Sequence, residues 1–254
     1  MGTDGTKYHK ALRVIIGVHS RLKLSVYIRV IRGKNRNHMF SLRQILAVHA
    51  PLLLLDAAST RVQVALFDAH GLARWAAADG EAGVALFRGV ESLGVDLASV
   101  RGFAFCEGPG SILGVRTAAM ALRVWNALAL RPVFAFRSLE LVAHDLARRR
   151  PAESFSVIAD ARRGAWHCVD VRAGVAGPLR RVNAAELAGG VFMPENFRTW
   201  AARPDGTTTT SYDLAALLTR LAEAELFRAT GEPDAFLHED PSYQTWTPRI
   251  HSAP

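Results

Sequence analysis

Two groups of residues have the types and spacing that phosphate or metal chemistry uses. Asp56, with Ser59 and Thr60 close behind it, puts a carboxylate and two hydroxyls on one turn, the equipment of a phosphate or magnesium loop. Gly108-Pro109-Gly110-Ser111 is the second group. Its glycines permit backbone angles that a side chain would forbid, Pro109 fixes φ between them, and Ser111 is a good N-cap for a following helix. The free amides at that helix start could hold an anion, or only a carboxylate of the protein itself. Each group also has a plain structural reading, a turn whose side chains satisfy their own amides. Pattern alone leaves the choice open.

A complete hydrolase or transferase site is not legible. No two of the nine histidines stand as HxxxH or HExxH, so a helical metal pair is missing, and His144 and His167 each stand alone. There is no GxSxG elbow and no GxxxxGK[ST] loop, and Gly110-Ser111 lacks the lysine that would meet a nucleotide's phosphates. Asp56 and Asp160 could face one another across a cleft, but a carboxylate pair without a base or a ligand set is weak equipment for an enzyme. Cys106 and Cys168 lie in expected strands without a CxxC neighbour. They argue against structural zinc and for a reducing compartment, and are most simply buried small hydrophobes.

The elements that would position these groups can be read from period and punctuation. An apolar run at 102–106 predicts a buried strand, Gly108-Pro109-Gly110 breaks it, and an alanine-rich helix is expected over 111–130. In that helix Ile112, Val115, Ala119, Leu122 and Ala129 line one side and Ala118, Ala121, Trp125 and Leu128 another, an arc wider than one sheet contact requires. Upstream, 52–56 and 62–67 read as a hairpin ending in Asp56, with 72–77 as a third strand. A short helix over 81–93 carries Leu86, Val90 and Leu93 on one stripe. Residues 133–136 predict a further strand, and Ser138 is expected to cap a helix that ends near Arg148-Arg149-Arg150.

A second lobe begins as a copy of the first. The order strand, Asp-Ala, turn, strand recurs at 156–170, and the pairs Asp56-Ala57 and Asp160-Ala161 are 104 positions apart, the spacing expected of a duplicated α/β unit. A short helix is expected at 184–188, an amphipathic helix over 211–227 with Leu214, Leu217, Leu218 and Leu221 inward, and an extended proline-bounded segment at 241–246.

The formal charge of +8 suggests a nucleic-acid binder until it is split along the chain. Residues 1–50 hold ten Lys and Arg against one acid, and the remainder 21 against 22. Basicity is therefore a property of an N-terminal arm, and the body is close to neutral. Arginines and lysines interrupt the apolar residues of 11–31 too often for a membrane span. A basic arm on RNA phosphates is one reading; a start at or near Met39, where the core pattern begins, is the one preferred. The stretch 45–55 with Ala57-Ala58 mimics a secretory signal, but His49 and Pro51 interrupt it and cleavage would remove a needed strand. With half of its 254 residues apolar, the chain can bury an ordinary core. Three divisions follow: 1–50 as a disordered or mis-started extension, 51–150 as a first lobe and 151–254 as a second.

Three stretches occur together in order: Leu-Asp-Ala-Ala-Ser-Thr at 55–60, Glu-Gly-Pro-Gly-Ser-Ile-Leu-Gly-Val-Arg-Thr at 107–117 and Ile-Ala-Asp-Ala-Arg-Arg-Gly at 158–164. With them the chain resembles the TsaB family, the non-catalytic partner in the bacterial complex that makes threonylcarbamoyladenosine in tRNA. The likeness spans 52 to about 168, and 241–246 looks like the family's terminal Pro-x-Tyr segment. It departs from the family at Ile112-Leu113, at Trp166-His167 and in the short helix at 81–93. The resemblance implies an α/β fold of the actin-like ATPase or ribonuclease-H-like kind, with two duplicated lobes and the second reduced. It implies a scaffold that forms a heterodimer with, and activates, a TsaD-like threonylcarbamoyl transferase, joined by a TsaE-like ATPase. In that reading the chain meets tRNA only through the complex, is cytoplasmic without a membrane, and forms a homodimer when alone. The interface then falls on Leu86, Val90, Leu93, Val115, Ala118, Leu122 and Trp125. No catalytic residue or metal is implied, and ATP or ADP with Mg at the partner interface is the one cofactor in view. The competing reading, a TsaD-like metal-dependent transferase or peptidase-like enzyme, needs metal ligands in the first lobe.

Overall fold

Strand β2 (Leu52–Asp56) is buried along its whole length because both of its faces are covered. In this computed structural model, which describes residues 38–187 and 189–238, its side chains alternate between two cores. Leu52 and Leu54 point into one and Leu53 and Leu55 into the other. Strand β2 pairs antiparallel with β3 (Arg61–Phe67), which pairs antiparallel with β4 (Ala73–Asp79). On its other side β2 runs parallel to β5 (Gly102–Cys106), and β5 parallel to β6 (Val133–Phe136). The order β4-β3-β2-β5-β6 is that of a ribonuclease-H-like lobe.

The second sheet repeats it. Strand β7 (Phe155–Asp160) pairs antiparallel with β8 (Ala165–Arg172), which pairs with β10 (Arg180–Asn183) and with the short β9 (Val175–Ala176). On its other side β7 runs parallel to β11 (Gly190–Pro194), and β11 to β12 (Thr208–Thr210). The resulting order β10-β8-β7-β11-β12 matches the first lobe position for position, so the fold is α/β, actin-like and duplicated.

Helices show where the second copy is reduced. The first lobe carries α2 (Ala82–Ser92) between β4 and β5, α3 (Ile112–Leu128) between β5 and β6, and α4 (Ser138–Arg149) after β6. In the second lobe a single 3-10 turn, Ala184–Glu186, stands for α2 and the loop 195–207 for α3. Among the described residues the one α-helix of the second lobe is α5 (Leu214–Arg220), after β12, a shorter counterpart of α4, and the two pack together. One core lies between the sheets around α4 and α5, and the other lies on the far face of the first sheet under α2 and α3.

Several boundaries differ from the sequence expectation. Residues 39–49, assigned to the extension, belong to the first sheet as β1 (Met39–Ser41) and α1 (Leu42–His49), the helix closed by a Ser41–Gln44 capping box. Strand β1 pairs with β13 (Glu225–Thr230), and β13 with β6, giving seven strands. The helix expected over 211–227 stops at Arg220, because the chain is needed as β13 on the otherwise open edge of β6. Arg137, not Ser138, is the N-cap of α4, and the Ser138 hydroxyl donates instead to the Pro109 carbonyl at 2.6 Å. Among the described residues no helix is long and apolar enough to cross a membrane. The basic arm through residue 37 and the 241–246 segment lie outside the described residues.

Candidate functional site

Asp56 ends β2 with no exposed surface. Its Oδ1 accepts from the Ala58 amide at 2.7 Å, while Oδ2 has no partner in hydrogen-bond geometry. Burial pushes its pKa up to about 6, even though the Ala58 amide and the neighbouring Tyr212 hydroxyl and Cys106 thiol pull it down. The hydroxyls beside it are in use. Ser59 donates to the Arg61 carbonyl at 2.7 Å, and Thr60 donates to the Asn196 carbonyl at 3.1 Å, tying the first lobe to the second.

The glycine turn meets this loop directly. Gly108 and Gly110 have φ of 106° and 152°, which favour glycine, and Ser111 caps α3 by accepting from the Gly114 amide at 3.3 Å. The Ser111 amide, which an anion would need, donates to the Ala58 carbonyl at 2.7 Å. A Cβ on Gly110 would stand 2.2 Å from that carbonyl oxygen, and one on Gly114 2.0 Å from the Ala57 oxygen. The groups expected to face a phosphate, Asp56, Ser59, Thr60, Gly108, Gly110 and Ser111, are thus brought together, and the bonds they make go to neighbouring protein groups, Ala58, Arg61, Asn196, Gly114 and Ser138.

The second lobe repeats the Asp turn differently. Asp160 accepts from three amides, Arg162 at 2.6 Å through Oδ1, and Trp200 at 2.7 Å and Ala201 at 3.1 Å through Oδ2. Burial would raise its pKa, but these amides and the Arg162 guanidinium more than reverse that and hold the carboxyl below its ordinary value. The turn leaves Arg162 and Arg163 at φ of 63° and 55°, with the Arg162 guanidinium 4.1 Å from the Trp200 ring centre. Between this turn and the first-lobe loops runs a cleft of about 430 Å³, lined by Ser59, Thr60, Glu81, Ser111, Arg162, Arg198 and Trp200 among others. Spacing within the sequence offered no sign of the Arg162–Trp200 pair, whose members are far apart in the chain.

On the other side of the glycine turn, buried Glu107 accepts from Arg137 at 2.9 Å and from Arg228, joining the ends of β5, β6 and β13. The segment 233–238 crosses here. Arg123 donates to the Pro233 carbonyl at 2.7 Å, the Phe236 amide to the Glu107 carbonyl at 2.7 Å, and His167 Nδ1 lies 2.9 Å from His238 Nε2. Burial, then His238 and Arg181, bring the His167 pKa down to about 4. Among the described residues no group of three or more His, Cys, Asp or Glu is placed to hold a metal ion.

The side chains assigned to a partner require correction. Leu86, Val90, Leu93, Val115, Ala118, Leu122 and Trp125 are all buried within this chain: Val115 joins the core between the sheets, and the others, with Leu93 just past the end of α2, pack in the core under α2 and α3. The apolar residues facing out are others: Val84 and Phe87 on α2, and Leu113, Met120, Val124 and Leu128 on α3, with Leu113 71% and Leu128 81% exposed. The α3 set repeats at helical spacing, a third stripe that the wide arc hinted at.

No protein-family model and no curated protein matches the chain. Among solved structures it is similar to YeaZ from Pseudomonas aeruginosa, with 23% identity, 73% of this chain and 99% of that chain covered, and a TM-score of 0.49. It is also similar to a protein described as having similarity to the peptidase YeaZ from Pseudomonas aeruginosa, with 24% identity, 67% and 89% covered, and a TM-score of 0.47. A Bacteroides thetaiotaomicron protein with an actin-like ATPase fold matches at 7% identity, over 68% of this chain and 88% of its own, with a TM-score of 0.30.

Proposed function

We propose that this chain is a docking subunit in tRNA threonylcarbamoyladenosine formation, presenting α2 and α3 to a TsaD-like catalytic subunit and performing no chemistry itself. The observation that carries the reading is the apolar face of these two helices that stays exposed among the described residues, on the side of the first sheet away from the second lobe. A run of Val84, Phe87, Leu113, Met120, Val124 and Leu128 is the kind of surface a partner covers. The three stretches that resemble TsaB motifs support a TsaD-like partner. The closed Asp56 and Gly108–Ser111 loops support a frame kept for shape, so a nucleotide with Mg would be held only where the partner adds to the surface. A TsaE-like ATPase and tRNA then join through the pair, in the cytoplasm.

The experiment is co-purification with a TsaD-like subunit. Met120→Glu with Val124→Glu should abolish the pair while leaving the melting temperature within about 2 °C of the parent, since both side chains are exposed. Retention of the pair by this double variant would reject the proposed face. Leu122→Glu is unsuitable, because Leu122 is buried and a charge there would unfold the helix from its sheet.

A further inference from the structure

We propose that Arg162, Arg198 and Trp200 form a contact for single-stranded RNA on the second-lobe wall of the cleft. Neither arginine forms an ion pair among the described residues, and both are exposed. Asp160 lies beneath Arg162 with its oxygens occupied by three amides, and Glu81 is the acid of the lining. Trp200 is 55% exposed, with the Arg162 guanidinium against its ring. A guanidinium over an open indole is a platform for an unpaired base, and the exposed charges of Arg162 and Arg198 suit the phosphates on either side. The platform is built rather than incidental: one carboxylate, Asp160, holds the backbone of both Arg162 and Trp200, and it keeps an arginine at positive φ to do so. Trp200, Arg162 and Arg198 are all exposed, so an extended strand can cross them and reach the ring and both guanidiniums at once.

The contact goes beyond the docking reading, because it is measured on this chain alone and does not depend on what covers α2 and α3. The test is fluorescence anisotropy of the full chain with a labelled single-stranded RNA of about twelve nucleotides, across a salt series. Trp200→Ala should weaken binding about tenfold with the salt slope unchanged, and Trp200→Phe should restore most of it. Arg162→Ala with Arg198→Ala should flatten the slope of log K against log salt by about 1.4, for two phosphate contacts on a single strand. Absence of RNA binding, or binding that these variants leave unchanged because the basic arm supplies it, would overturn the assignment. So would displacement of the RNA by micromolar ATP, which would replace the strand with a free nucleotide.

Discussion

Asp56 and Asp160 end the corresponding strands β2 and β7 of the two lobes, 104 residues apart, and meet opposite surroundings. The first is sealed under the glycine turn with one oxygen unpartnered and its pKa raised; the second collects three amides and its pKa is lowered. The glycines say the same of the backbone. Around Asp56, a Cβ on Gly110 or Gly114 would run into a carbonyl, whereas a Cβ on Gly164, in the turn after Asp160, would meet nothing within 4 Å. Duplication kept both turns; the first became packing and the second stayed open to the cleft. The lobe that retained its helices therefore has the closed loop, and the lobe that lost them has the accessible arginines.

The most damaging way to test this contrast is to add one methyl group against each Asp turn, from α3 in the first lobe and within the turn itself in the second. Gly114→Ala places a Cβ about 2 Å from the Ala57 oxygen, a contact with backbone that cannot rotate away. We expect it to destabilise the protein by about 3 kcal/mol or more in urea titrations. Gly164→Ala, limited to the strain of its φ of 72°, should cost about 1 kcal/mol. Equal losses at the two positions would mean that the turns are equally packed.

Removing the well-bonded carboxylate comes next. Asp160→Ala leaves the amides of Arg162, Trp200 and Ala201 without their acceptor, at about 1 kcal/mol each, so a loss of about 2 to 3 kcal/mol is expected at pH 7. Because the folded carboxyl has the lower pKa, this stabilisation is present above the unfolded value near 4 and disappears as pH falls through the folded one. The gap between parent and variant should close on acidification. A gap that stays constant from pH 7 to pH 3 would show that the charge of Asp160 contributes nothing.

Much of the frame is legible in the sequence because the hydrophobic pattern and the fold agree there. The continuous apolar runs of β2, β5 and β6 mark strands covered on both faces, and the two Asp-Ala pairs disclose the duplication. Agreement fails where a distant edge decides. Leu214 to Leu221 keep helical spacing and no glycine or proline separates them from Leu226-Phe227, so nothing local announces that β6 needs β13. The strongest apolar stripe on α2 and α3 suggests a partner surface, but the strongest stripe is the one a sheet takes first; what stays exposed is Leu113, Met120 and Val124. Trp200 reaches Asp160 across 40 residues, a pairing that no local period encodes.

The gentlest test uses the sealed carboxylate, and its sign is opposite to that of Asp160. With a folded pKa near 6 against an ordinary 3.8, Asp56 binds a proton more tightly in the native state than in the unfolded chain. Stability from this group is therefore highest below pH 4, falls as pH rises through 6, and stays low above it. Asp56→Asn keeps an oxygen for the Ala58 amide and removes the charge, so at pH 8 the variant should be more stable than the parent by about 2 kcal/mol. At pH 4, where the parent carboxyl is already protonated, the difference should vanish. If the variant is instead destabilised at pH 8, then Asp56 is needed as an anion, its unpartnered oxygen belongs to a cation or a bound group, and the closed reading of the first turn fails while that of the second stands.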